Sequence, residues 1–181
     1  MTNILFCGND RVFDGALTCM LSAVRRTASR DPFCVYLFTM DGTHLRDTYR
    51  PITARQADCL ADVLRAYNPD SRVVLHDVTD LYAAEFAGCP NEGAYCSPYT
   101  LLRLLADLVP GIPDKLLYLD ADILFNRDIH LLYDIDVSGV EYAAARDHYG
   151  KYLVNPNYVN AGVLLFNMAK IRETGLLRRA R

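Results

Sequence analysis

The residues best suited to chemistry are two aspartates at the end of an apolar run, Lys115-Leu-Leu-Tyr-Leu-Asp120-Ala121-Asp122-Ile-Leu-Phe125. In an extended chain, side chains at i and i+2 leave the same face close together. Two like charges so placed repel unless a cation lies between them. Carboxylate oxygens are hard ligands that suit Mn²⁺ or Mg²⁺ bridging a diphosphate. The end of a buried strand is also where ligands of open α/β sheets collect. A structural role competes with this reading, in which Asp120 and Asp122 cap a turn or pair with arginines.

A second segment, Asn160-Ala161-Gly162-Val-Leu-Leu-Phe-Asn167, sets an amide and a glycine just before another apolar stretch. Gly162 admits close approach of a backbone or ligand, and Asn160 both donates and accepts hydrogen bonds. By itself the segment is equally a turn feeding a strand. The remaining polar residues of interest have plain readings on their own. Asn9-Asp10 is a turn, Arg103 a charge on a helix surface, Asp147 a solvated loop charge, and His148 a loop histidine rather than a ligand.

The elements that must position these residues alternate. Ile4–Cys7 reads as a buried strand, followed by a helix with apolar residues at Phe13, Ala16, Leu17, Met20, Leu21 and Val24. Cys34–Thr39 is a second strand. A helix capped near Thr53 ends before Asn68-Pro69, Val73–Val78 is a third strand, and Tyr99–Val109 is a helix halted by Pro110-Gly111. Leu116–Leu119 is a fourth strand whose apolar continuity places it centrally. Ile123–Phe125, Tyr142–Ala145 and Val163–Phe166 read as further short strands, with a last helix from near Met168. The alternation predicts an α/β fold, a mostly parallel central sheet covered on both faces, in one domain over residues 1–181.

Composition excludes several classes of function. Hydrophobic residues make up 51% of the 181 and charged residues 23%, the balance of a globular domain. Nineteen Lys and Arg against twenty-two Asp and Glu leave a net charge of −3, so nucleic acid is not an expected partner. Lys170, Arg172, Arg178, Arg179 and Arg181 gather near the end and read as a solvated helix face. No apolar run could span a bilayer or serve as a signal peptide. The six cysteines show no C-x-x-C pair and read as core thiols of a cytoplasmic protein.

Taken together, LLYLDADILF, the run Val159-Asn-Ala-Gly-Val-Leu-Leu-Phe-Asn167 and the opening ILFCGNDRVF resemble glycosyltransferase family 8. This retaining group includes lipopolysaccharide galactosyl- and glucosyltransferases and glycogenin. The resemblance spans residues 3 to about 170. It implies a Rossmann-like GT-A fold, a UDP-glucose or UDP-galactose donor, a Mn²⁺ cofactor (Mg²⁺ as the alternative) and a glycan or glycolipid acceptor. It also implies a role in bacterial lipopolysaccharide or cell-surface glycan synthesis, at most peripherally attached to the inner face of the membrane. Asp120 and Asp122 match the metal pair, with Asp122 the firmer ligand and Asp120 also near the ribose. Asn9 and Asp10 match the loop that contacts uridine, although the first acidic position is here Asn. Arg103 matches an arginine on the diphosphate and sugar, and Asp147 an aspartate on donor-sugar hydroxyls; both are carried over as catalytic. Ala121, Asn160 and Ala161 are carried over as donor contacts.

The family's third metal ligand, a histidine in a later H-x-x-G-x-x-K-P-W-like segment, has no match, since His44, His76, His130 and His148 lack that context. A C-terminally truncated catalytic domain is therefore expected. Two alternatives remain: a non-catalytic UDP-sugar-binding domain, and a phosphatase of the haloacid-dehalogenase type. The phosphatase is disfavoured because the aspartates follow three β-α units and precede Ile123-Leu124.

Overall fold

Strand β1, Thr2–Cys7, is buried along nearly its whole length, which an apolar strand achieves only with sheet neighbours on both sides. A computed structural model, describing residues 1–92 and 97–181, supplies them. Strand β1 pairs in parallel with β2, Phe33–Thr39, and with β4, Lys115–Leu119. Strand β3, Arg72–Asp77, lies parallel to β2 on the outer side. Beyond β4 come β6, Val159–Asn167, antiparallel to it, and β5, Tyr142–Arg146, antiparallel to β6. The order is β3-β2-β1-β4-β6-β5. As its apolar continuity predicts, β4 is central.

Alternation along the strands feeds two cores. Ile4, Phe6, Val35, Leu37, Leu117 and Leu119 face α1, Phe13–Arg26, and α2, Ala54–Tyr67. Leu5, Tyr36, Phe38, Leu116, Tyr118 and Phe166 face the opposite layer. That layer includes α3, Thr79–Phe86, which the sequence pattern did not single out, and a 3₁₀ helix, Pro98–Leu105. The 3₁₀ helix replaces the α-helix expected over Tyr99–Val109. Its three-residue repeat stacks side chains three apart, so Tyr99, Leu102 and Leu105 are buried together in one row.

Two other expectations are corrected. Ile123–Phe125 is loop, with Phe125 N–H donating to Ser22 Oγ at 2.9 Å on α1 instead of to a strand. Short helices α4, His130–Tyr133, and α5, Gly150–Leu153, break up the later region. The terminal basic cluster is not simply solvated. It spans α6, Met168–Thr174, and α7, Leu176–Ala180. Arg172 pairs with Asp114 at 3.0 Å, and Arg181, its side chain 5% exposed, pairs with Glu85 at 2.8 Å and with Asp107. Of the cysteines, Cys19 and Cys34 are buried, Cys7 and Cys89 partly so, and Cys59 is on the outer face of α2; all five are free thiols, and Cys96 lies outside the described residues.

Candidate donor site

The chain leaves β1 toward β2 on one side, while β4 joins β1 on the other. The carboxyl ends of β1 and β4 thus flank the point where the strand order reverses, the usual ligand crevice of open α/β sheets. A cavity of about 280 Å³ opens there, lined by Cys7, Val12, Tyr99, Tyr118, Asp120 and Asp122. Roomier surface hollows, of about 390 and 440 Å³, lie between α2 and β3 and beside α1. They lack paired carboxylates, so chemistry points to the smaller cleft.

Strand β4 ends at Leu119, so Asp120, Ala121 and Asp122 sit on the turn that follows rather than on extended chain. Both carboxylates nevertheless line the one cleft. The turn is fixed from two sides. Asp120 N–H donates to Gly162 O at 2.7 Å. Helix α1 abuts Ala121 so closely that a Cβ on Gly15 would lie 2.7 Å from the Ala121 carbonyl oxygen.

Asp120 is half-exposed and strongly oriented. Tyr118 Oη donates to Asp120 Oδ1 at 2.6 Å, and Arg103 Nη1 stands 3.8 Å from the same oxygen. Arg103 reaches inward rather than lying on a helix surface. Its guanidinium covers the Tyr118 ring at 4.8 Å from the centroid and donates to Ala161 O at 2.8 Å. The arginine pairing weighed for Asp120 is thus present, while among the described residues Asp122 has no ion-pair partner and is exposed. Burial pushes the Tyr118 phenol and the Cys7 thiol well above their usual ranges, so both stay protonated.

Strand β6 links this pair to Asp147. Gly162 lies against Asp120: a Cβ there would be 2.7 Å from Asp120 Oδ2. Asn160 Oδ1 accepts from Gly162 N–H at 2.8 Å. Asp147 Oδ1 accepts from Gly150 N–H at 2.6 Å and Tyr149 N–H at 2.9 Å. The Gly150 N–H above all holds its carboxyl below the usual carboxylate range. Arg103, Asp120, Gly162 and Asn160 therefore form one connected set, and Asp147 N–H donates to Tyr158 O at 3.0 Å just before β6 begins.

Asn9 and Asp10 differ from the uridine-loop expectation in part. Asn9 is buried, its Oδ1 accepting from Arg11 N–H at 3.2 Å and its backbone bridged to Pro51, so its side chain is spent on shaping the loop. Asp10 O accepts from Gln56 Nε2 at 2.9 Å, and Gln56 also completes the capping box with Thr53 at the start of α2. Asp10 Oδ1 is buried with no hydrogen-bond partner among the described residues. It borders a cleft of about 260 Å³ with Arg11, Asp47, Thr48 and Arg50. His148 is exposed and packs edge-on against Tyr149, away from any ligand role.

Among the described residues no three His, Cys, Asp or Glu side chains gather as a metal set. The chain offers two carboxylates on one cleft, hard oxygen donors that fit Mn²⁺ or Mg²⁺ with further oxygens from a ligand. Tyr118 and Cys7 are the site residues the sequence reading missed. The signal for Tyr118 was available, because it stands two residues before Asp120 on the same strand.

Known proteins share this architecture. The galactosyltransferase LgtC, solved with donor and acceptor sugar analogues, superposes with a TM-score of 0.69 at 23% identity over 95% of this chain and 60% of its own. The glycosyltransferase GlyE of Streptococcus pneumoniae gives 0.69 at 22% identity, over 99% of this chain and 37% of its own. The fold is GT-A, with the mixed sheet these enzymes share. A putative glycosyltransferase of Haemophilus influenzae is 27% identical over 134 residues, which is 62% of this chain and 40% of that protein. The chain thus spans about two fifths of that relative's length. The sequence profile of Glycosyl transferase family 8 matches residues 3–181. On that match, over nearly all of its length, this chain belongs to glycosyltransferase family 8.

Proposed function

We propose that this chain carries the donor-binding centre of a metal-dependent, retaining glycosyltransferase. It would move glucose or galactose from a UDP-sugar to a glycan or glycolipid acceptor in bacterial lipopolysaccharide or cell-surface glycan synthesis. One observation supports this reading above the others: the connected set from Arg103 through Asp120 and Gly162 to Asn160, at the reversal point of the sheet. It ties a cationic group for phosphates to one of the two carboxylates that line the cleft.

Each group has a role that its surroundings favour. Arg103 is held by the Ala161 carbonyl and the Tyr118 ring, a fixed positive charge near the bond that breaks as the diphosphate departs. Asp147, kept ionised by backbone N–H groups, accepts hydrogen bonds from sugar hydroxyls. The unpartnered Oδ1 of Asp10 accepts an N–H from the base. Asp120 and Asp122 hold a divalent cation, Mn²⁺ in the first instance, which when bound supplies Lewis-acid neutralisation of the leaving diphosphate. No described helix is long and apolar enough to cross a membrane.

Because the described residues bring two carboxylates to this cleft, UDP oxygens would complete the shell of a bound cation, and cation and nucleotide would bind with reciprocal coupling. A ligand at a hundredfold excess over its Kd stabilises the native state by about 2.7 kcal/mol. For a domain of this size that is a rise in melting temperature of about 5–11 °C. UDP with Mn²⁺ raises it by more than the separate effects of each, GDP and ADP do less, and Asp122→Asn abolishes the excess. An unchanged excess in Asp122→Asn refutes the metal assignment. A second reading is donor binding without transfer. Coupled binding with no sugar released or transferred in a radiolabelled-donor assay distinguishes it.

A further inference from the structure

We infer that Tyr118 is a positioning residue, whose hydroxyl decides which oxygen of Asp120 faces a divalent cation. The inference rests on the metal-dependent reading above and assigns a residue outside the carboxylate pair.

A carboxylate on a solvated turn rotates freely about its last bond and presents either oxygen. Here that freedom is removed. The Tyr118 ring is 2% exposed and locked within the core, and its hydroxyl donates to Asp120 Oδ1 at 2.6 Å, within the range of a charge-assisted O–H···O bond. Arg103 Nη1 approaches the same Oδ1, at 3.8 Å. Both the hydroxyl donor and the arginine thus approach one oxygen. The other, Oδ2, rests over Gly162, where a Cβ would come within 2.7 Å. Oδ1 is committed to the protein, and Oδ2 is left for an incoming ion.

The Tyr118 hydroxyl also restrains Arg103. The guanidinium lies over the Tyr118 ring and is tethered to Ala161 O. Without the hydroxyl, the carboxylate is free to turn toward Arg103 and close the present gap into a direct ion pair. That pair competes with any cation for Asp120. Tyr118 therefore acts through Asp120, and its loss is felt as weaker ion binding. Partners of metal ligands elsewhere carry tenfold to hundredfold of affinity in this way.

The test is Tyr118→Phe, which keeps the ring that supports Arg103. Mn²⁺ binding is titrated by the EPR signal of the free ion, with UDP present, in wild type, Tyr118→Phe, Asp122→Asn and Tyr36→Phe. Tyr36→Phe removes a hydroxyl from β2 on the same sheet face. Metal-free melting is measured alongside. The expected result is at least a tenfold loss of Mn²⁺ affinity in Tyr118→Phe, unchanged affinity in Tyr36→Phe, and metal-free melting close to wild type. If Tyr118→Phe binds Mn²⁺ like wild type while Asp122→Asn does not, the positioning role is overturned and the metal site stands. If both tyrosine variants weaken equally, or Tyr118→Phe loses its fold without metal, the hydroxyl serves stability and the inference fails. If wild type with UDP binds no Mn²⁺, the metal-dependent reading itself falls, and the role of Tyr118 with it.

Discussion

Gly162→Ala offers a direct test of the geometry around Asp120, because the new methyl has nowhere to go. Its Cβ would stand 2.7 Å from Asp120 Oδ2, 3.1 Å from Asn160 Oδ1 and 3.3 Å from Asp120 Cγ, whereas ordinary contact begins at 3.4 Å. Neither neighbour yields easily. Asp120 Oδ1 is tied to Tyr118, and Asn160 Oδ1 is tied to the Gly162 N–H itself. The strand cannot retreat either, since Gly162 O accepts from Asp120 N–H at 2.7 Å. Overpacking of this kind costs about 1–3 kcal/mol, or roughly 2–12 °C in melting temperature for a chain of this length. Whatever relieves the contact moves Oδ2, so the Mn²⁺-dependent increment from UDP falls as well. Gly139→Ala is the matched control, because nothing lies within 4 Å of its Cβ and its φ is not left-handed. It should leave melting unchanged or raise it by up to about 1 kcal/mol. Thermal melts of both variants, with and without Mn²⁺ and UDP, separate the effects. A Gly162→Ala protein that melts and responds like Gly139→Ala would refute the close approach of β6 to Asp120.

Two further outcomes are expected. Alkylation of the native protein, mapped by mass spectrometry, labels Cys59 first and Cys19 and Cys34 last, since burial closes access and pushes the Cys19 thiol up to about 12; early labelling of Cys19 would show that the layer under α1 opens. Ala28 and His130 N–H groups hold the Asp128 carboxyl below its usual range. A depressed folded value stabilises the protein above the unfolded value near ~4 and is lost as pH falls through the folded one. Melting should therefore drop in that acid window, less steeply in Asp128→Asn, and an identical slope in the variant would deny Asp128 a role.

Apolar continuity in Ile4–Cys7, Cys34–Thr39 and Leu116–Leu119 marks strands buried on both faces, because no other local structure hides so many consecutive side chains. The threefold and fourfold spacing from Phe13 and from Ala57 marks α1 and α2 in the same way. The end of β4 at Leu119 is legible too, as charge following an apolar run. These features are local, so neighbouring residues suffice to specify them. The 3₁₀ helix at Pro98–Leu105 was not legible: its leucine-rich run suits either helix type, and burial of Tyr99, Leu102 and Leu105 in one row selects the tighter one.

The site divides along the same line. The sequence determined which residue types were available: two carboxylates, an amide, a glycine and an arginine at recognisable spacings. Only the tertiary structure decided that Arg103, from a helix 17 residues upstream of Asp120, reaches the carboxylate and the Ala161 carbonyl at once. Only the tertiary structure set Gly162 beneath Asp120 Oδ2, because that contact depends on β6 running antiparallel beside β4. A hydrogen bond or close contact between residues far apart in sequence exists only once the intervening chain has paid its ordering entropy, so spacing along the chain carries no record of it.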